Sequence, residues 1–454
     1  MIAASIAHQT RGLHSGHMNT ENASAEPAAE TAHLRGIEAL RAGRLDEAEA
    51  CLRQALALAP DNAVYQSNFS VILRERGLPE ASLAAAERAV SLAPGFAGAW
   101  YNRGISLAEL ERYEEALQSY AQALTLNGDY AEAWFNQGSV LLRLDRLGEA
   151  RDSYARAVAL APDNALFLHH LGVALDGLGL FADALPVYEK ALELAPGQAI
   201  SWFNCGIDRI KLGDLEGGKA CYARALAGGH PDPELVRFFM AAAEGGSPPP
   251  TAPAEYLRNL FDGYAPRFEQ HLVGVLGYAA PEVLFELLGA QLGRDLEILD
   301  LGCGTGLLGR LLRPHARRLI GVDLAPVMIE EARTRAIYDA LVLADVRDYL
   351  RARADPLDLV VATDVFIYVG DLDEVFKDVS RLLTPGGLFA FSVEQHPEEG
   401  FALLSTLRSA HSYAYCTRLG RRHGLQLRKA ESRPIRRHGE GEIAGYYLVF
   451  AKPA

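Results

Sequence analysis

The chain has 454 residues, 49% of them hydrophobic and 22% charged, with a formal net charge of −14. That composition excludes a fibrous or wholly disordered protein, and the length allows two or three domains, each with a sizeable core. Residues 297–454 hold 21 acids and 21 bases of the 58 and 44 in all, which leaves 37 acids against 23 bases in 1–296; so acidic a half repels phosphates and argues against nucleic-acid binding.

No apolar run approaches the roughly 18 residues that span a bilayer. The five cysteines, Cys51, Cys205, Cys221, Cys303 and Cys416, are odd in number and lack C-x-x-C spacing. A reducing, cytoplasmic setting is expected, without disulfides or a metal site. Residues 1–28 carry few large apolar side chains and no continuous hydrophobic region, which argues against a secretory signal. A disordered tail is expected there, with translation starting at Met1 or Met18.

From about residue 29 the chain repeats itself every 34 residues. Pro60, Pro94, Pro162 and Pro196 mark the step, with Gly128 filling the gap. Alanine holds all six equivalent positions Ala55, Ala89, Ala123, Ala157, Ala191 and Ala225, and Tyr120, Tyr154, Tyr188 and Tyr222 share a second register. Glycine recurs at Gly36, Gly104, Gly138, Gly172 and Gly206, with Ser70 the one departure, and all three tryptophans fall in one row. Small residues sit where two helices cross, large aromatics fill the space beside them, and stacking buries what one pair cannot. Spacing and residue types resemble the tetratricopeptide repeat (TPR), in about six units over residues 29–242. Two positions after the tryptophan row stand Asn68, Asn102, Asn136, His170 and Asn204. The offset predicts one row on the concave face. Resemblance to TPR proteins with an asparagine ladder implies that these amides hold the backbone of a protein or peptide partner, since an amide both donates and accepts; the structural alternative is bridging between repeats.

Residues 243–253 are rich in proline and predict an extended spacer. Beyond it, helices are expected at 254–263, 278–290, 305–313, 326–337, 371–383 and 412–423. Strands are expected near 297–301, 318–323, 340–344, 357–363, 387–393, 424–435 and 444–452. The alternation predicts a mostly parallel sheet covered on both faces, closed by a C-terminal hairpin. Arg408 to Arg437 is locally basic, either a solvated surface or a meeting place for an anion.

The chemistry concentrates after the first strand. Glu297 to Gly306 read EILDLGCGTG: Asp300 at a strand end, then Gly302, Gly304 and Gly306 at alternate positions. Asp323 and Asp345 end the next two apolar runs. A dinucleotide site explains the glycines and Asp323, but not Asp300, Asp345 or the terminal hairpin. The layout resembles the class I S-adenosylmethionine (SAM)-dependent methyltransferases, over residues 254–454. The resemblance implies that the Gly302–Gly306 turn cradles the amino-acid portion of the cofactor with Asp300 near its ammonium group. Asp323, with Leu324 beside it, would take the ribose, and Asp345 with the backbone of Val346 the adenine; a helix cap is the alternative for Asp345.

For the methyl acceptor the same resemblance points to the segment 260–272 and the tail of the fourth strand. His271, Tyr264 and Asp364 are the catalytic candidates, with Tyr368 and His411 behind them, each with a packing role as its alternative. The reading is therefore α + α/β: a helical TPR solenoid that recruits a partner, followed by a Rossmann-like methyltransferase sheet. The chain as a whole resembles bacterial TPR-containing methyltransferases of unassigned substrate. Two rivals are an adaptor whose Rossmann-like half binds SAM without catalysis, and a nicotinamide oxidoreductase.

Overall fold

The computed structural model describes residues 25–244, 251–264, 274, 276–438 and 441–454. It divides into two compact units that part between Asp214 and Leu215. Among the described residues no helix is long and apolar enough to cross a membrane.

The first unit is helical throughout, from Ala25–Arg41 to Ala199–Lys211, in antiparallel pairs. The repeat supplies its own packing rule. A Cβ added at Gly104 would lie 2.6 Å from the ring of Tyr120, and one at Gly172 the same distance from Tyr188. Glycine is thus the partner of the aromatic sixteen residues on, and the tyrosine fills the volume the missing side chain leaves. In the divergent second unit Ser70 and Ala86 hold the two positions, both buried, and Ser82 Oγ donates to Ser70 O at 2.8 Å. Trp100, Trp134 and Trp202 donate their indole N–H to the carbonyls of Pro94, Gly128 and Pro196. The tryptophan row therefore ties each helix to the turn six residues before it, satisfying carbonyls that the preceding helix leaves open.

The second unit opens with two helices, Leu215–Ala227 and Pro233–Glu244, and continues into a nine-stranded sheet. Phe238 and Ala242 are buried with Ala252, Leu257 and Leu403, so the helix Pro233–Glu244 packs into the sheet-bearing unit. In the proline-rich stretch, Thr251 forms a bridge with Val369 and the Ala252 N–H donates to Tyr368 O.

The strands are β1 (Leu296–Leu301), β2 (Ala316–Asp323), β3 (Ala340–Leu343), β4 (Leu357–Ala362), β5 (Leu383–Gln395), β6 (Phe401–Leu403), β7 (Ser409–His411), β8 (Gln426–His438) and β9 (Gly441–Ala451). Their order is β3-β2-β1-β4-β5-β7-β6, parallel from β3 to β7; β9 runs antiparallel to β5, and β8 antiparallel to β9. The short pair β6–β7 lies where sequence patterning gives a loop, because three residues are too few to show a period.

Strands buried on both faces explain their continuous apolar runs. Leu299, Leu301, Ile320, Val322, Val360 and Ala362 face one core, where Phe366 and Phe376 each meet Phe389 and Phe391 edge to face and Phe391 stacks on Phe450. Ile298, Leu319, Leu359 and Val361 face the other, under the helix Ala280–Leu288.

Candidate functional site

The site is built where β1 ends. Gly302, Gly304 and Gly306 have φ of +61°, +52° and +93°, which a side chain opposes. At Gly302 a Cβ would also meet Val365 Cγ2 at 2.3 Å, so the turn closes on the end of β4 only through glycine. The Cys303 N–H donates to Val322 O at 3.0 Å and the Gly304 N–H to Asp323 Oδ2 at 2.9 Å. Asp323 Oδ1 accepts the Ala325 N–H at 2.9 Å. The acid therefore staples the turn to its own strand end. Burial pushes its pKa above the usual carboxylate range, and the amides pull it back.

A cavity of about 460 Å³ opens over the carboxyl ends of β1, β2, β3 and β4. It spans the reversal of strand order between β1 and β4, where open α/β sheets bind ligands. Among the described residues its floor is Gly302, Cys303, Gly304 and Thr305, with Asp323 and Leu324, and then Asp345 and Val346 on one side. Leu257, Leu260 and Phe261 form the cover. Asp345 both lines the cavity and caps the helix Val346–Ala352, accepting from Arg347 N at 2.8 Å. The ligand reading and the cap reading are compatible, since a carboxylate has lone pairs for both.

Two sets of expected site residues are placed away from the cavity or groove. Asp300 does not line the cavity. It is 1% exposed, its Oδ2 accepts the Tyr338 hydroxyl at 2.7 Å, and burial pushes its pKa up to about 7. Gly309 makes room for this, since a Cβ there would lie 2.2 Å from the Tyr338 hydroxyl. The asparagine row is the second set. Asn68 and Asn102 are buried between repeats, not open on a groove. Asn68 Nδ2 donates to His33 Nε2 at 2.8 Å, and Asn102 Nδ2 to Ser67 Oγ at 2.9 Å. Asn136 and Asn204 are half-buried and donate to the Tyr101 and Tyr188 hydroxyls, while half-buried His170 packs against Phe135. Asn102→Ala is expected to destabilise the solenoid by about 1–3 kcal/mol, the cost of a lost buried amide bond, read as a lower urea midpoint; an unchanged midpoint would contradict this packing.

The other end of the cavity is lined by Thr363, Asp364, Tyr368, Arg408 and Arg436. Asp364 has φ +58°, a strained conformation held by its N–H bond to Ser392 Oγ at 2.9 Å. Its Oδ2 lies 2.5 Å from Arg436 Nη1, and Arg436 Nη2 bonds Glu394. His411 is fully buried on β7, its Nε2 against Gly370 O at 2.8 Å, and burial drives its pKa down to about 4. It is a packed histidine outside the lining. His271 and the side chain of Tyr264 lie outside the described residues.

Sequence reasoning missed Arg436, Glu394 and Arg408 individually. Glu394 had a signal, a charge directly after the apolar run FAFSV at the end of β5, whereas Arg436 is one of six charged residues on β8 and Arg408 precedes β7, so neither stood out.

A family model described as a methyltransferase domain matches residues 299–391, and tetratricopeptide-repeat models match 29–62, 69–131, 101–165 and 135–199. The chain joins tetratricopeptide repeats to a class I methyltransferase domain. That domain is similar to the malonyl-acyl-carrier-protein O-methyltransferase of Salmonella typhimurium, 30% identical over 132 residues, which are 29% of this chain and 51% of the relative. It is 39% identical over 108 residues to the trans-aconitate 2-methyltransferase of Escherichia coli, covering 23% and 42% of the two chains. The ubiquinone biosynthesis O-methyltransferase of a Methylobacterium species is 32% identical over 120 residues, 26% and 48% of the chains. The chain spans about half the length of the curated relatives it matches, and those relatives differ in acceptor by name. The repeats align with a solved TPR protein, YrrB, at 24% identity and a TM-score of 0.37, over 41% of this chain and 95% of that one. Likeness that low transfers no binding site.

Proposed function

We propose that the C-terminal unit transfers a methyl group from SAM to an acceptor, and that the repeats recruit a protein or peptide partner to it. The observation that carries this reading is the convergence of the positive-φ glycines Gly302 and Gly304, Asp323 and Asp345 on one cavity at the switch point of the sheet, with Gly306 behind the lining against Ile337 and Tyr338. Glycines at the floor allow a ligand backbone to approach closely, and Asp323 and Asp345 offer carboxylate oxygens for hydroxyl and amino donors. Asp323 and Leu324 would hold the ribose, Asp345 and the Val346 backbone the adenine, and Gly302–Thr305 the amino-acid end. Asp300 takes a positioning role, bracing the turn from behind through Tyr338.

When bound, SAM supplies a methyl on a sulfonium, a good leaving group. The chain's contribution is then placement: Leu257, Leu260 and Phe261 exclude water, and Thr363, Asp364 and Tyr368 face the acceptor. A base is required only if the acceptor must lose a proton. Asp364, paired with Arg436, serves as the carboxylate available for that. The partner-recruiting face would use Asn136, His170 and Asn204, the half-buried members of the row. All five cysteines are buried, and a cytoplasmic setting belongs to this reading.

Calorimetric titration of the full chain tests the reading. SAM and its demethylated product, S-adenosylhomocysteine, are expected to bind saturably and to raise the melting temperature, while NADH does neither. Protection by NADH with no response to SAM would assign the cavity to a nicotinamide dinucleotide instead.

A further inference from the structure

The acceptor end of the cavity carries two arginines in different states. Arg436 is 3% exposed and engaged on both terminal nitrogens, by Asp364 and by Glu394. Arg408 stands just ahead of β7 and lines the same cavity, yet among the described residues its nearest paired carboxylate oxygen, Glu394 Oε1, lies 3.9 Å away. That separation is outside hydrogen-bond range. The Tyr368 hydroxyl is the hydrogen-bonding neighbour of Arg408. The arginine side chain is 27% exposed, so it has given up much of its water for one long ion pair, to a carboxylate that Arg436 holds more closely. A guanidinium has five N–H donors, and most of these are unspent here.

We propose that Arg408 receives a carboxylate of the methyl acceptor, which makes the substrate class a carboxylic acid. The inference rests on the methyl-transfer reading and narrows it. A planar carboxylate matches the guanidinium fork in a bidentate pair, and the Tyr368 hydroxyl beside it offers a further donor. Glu394 does not compete, because Arg436 already holds it. An amine acceptor fits this end poorly: the charges of Asp364 and Glu394 are already offset by Arg436, and a cation would face two guanidiniums. A doubly charged phosphate fits less well than a singly charged carboxylate, because Glu394 and Asp364 stand close by. Anchoring of this kind is independent of which acceptor atom receives the methyl group.

The test uses the full chain in two titrations. S-adenosylhomocysteine is titrated first, and its binding reports on the cofactor reading alone. The saturated protein is then titrated with malonate, glutarate, octanoate and phenylacetate, each against its matched amide. At least one acid is expected to bind tenfold or more tighter than its amide, and Arg408→Gln and Arg408→Lys to lose about tenfold or more and a smaller amount respectively, as a bidentate charged pair predicts. Both variants should keep S-adenosylhomocysteine affinity within twofold, which shows that the site is folded. Acids and amides binding alike, acids binding the Gln variant as they bind the native chain, or no acid binding up to about 10 mM would each overturn the anchor while leaving the cofactor reading intact. Failure of S-adenosylhomocysteine to bind would instead remove the methyl-transfer reading and the anchor with it.

Discussion

Asp323→Ala is expected to weaken SAM binding about tenfold to a hundredfold, the equivalent of one charge-assisted hydrogen bond of roughly 1.5–3 kcal/mol. Two effects add. The ribose hydroxyls lose their acceptor, and the Gly304 and Ala325 N–H groups lose theirs, so the turn that forms the cavity floor is released from β2. Asp323→Asn separates the two. It keeps the shape, but one of its two polar atoms is a donor facing an N–H, so its loss should fall between those of wild type and alanine. Calorimetry at pH 7 on protein with a native melting transition decides the matter; a change under twofold would mean that Asp323 only braces the loop. The raised pKa sets a direction as well. As pH falls, Asp323 takes up its proton earlier than an ordinary aspartate, so affinity should begin to drop above the usual carboxylate range.

Asp208→Asn is expected to stabilise the solenoid, and by more as pH rises. Asp208 is fully buried on the helix Ala199–Lys211, and the carboxyl of Asp176 is its hydrogen-bonding neighbour. Tyr188 donates to the far oxygen of Asp176 at 2.6 Å, which leaves the two acids to share a proton. Burial first, and then the charge of Asp176, push the Asp208 pKa up to about 9. The sign follows from linkage. Below about pH 4 both folded and unfolded chains hold the proton, and the pair costs nothing. Between there and about 9 the unfolded chain releases a proton that the folded chain keeps, so stability declines steadily with rising pH. Asparagine holds its N–H at every pH and removes that decline. Melting followed by circular dichroism at pH 5 and pH 8 should show little gain at the first and several degrees at the second, given about 2–4 °C per kcal/mol in a unit of this size. Equal gains at both would show that the pair does not titrate.

The features legible in advance were those that recur or that need one residue type. A 34-residue unit repeated six times declares the solenoid, because Gly104, Gly138 and Gly172 each find a tyrosine sixteen residues later, within a single helix pair. The glycine turn was legible because three φ values in the left-handed region admit few other residues. Asp323 and Asp345 were legible because each ends an apolar run, and parallel strands deliver their carboxyl ends to one edge.

Other features depend on which distant segments meet. Asn68 and Asn102 sit at the predicted register, but stacking of the next helix pair closes over them, and burial turns their amides to the preceding repeat. Asp300 shares its motif with the glycines, yet its direction depends on Tyr338, 38 residues on. Asp364 and Arg436 are 72 residues apart and meet because β8 pairs with β9, which pairs with β5. The sequence by itself determined the repeat, the parallel sheet and the glycine-lined rim, because each is encoded by periodicity or by backbone freedom within a short stretch. Only the tertiary structure decided which charges face each other inside the cavity and the solenoid, because a buried charge is settled by the partner that long-range packing brings to it.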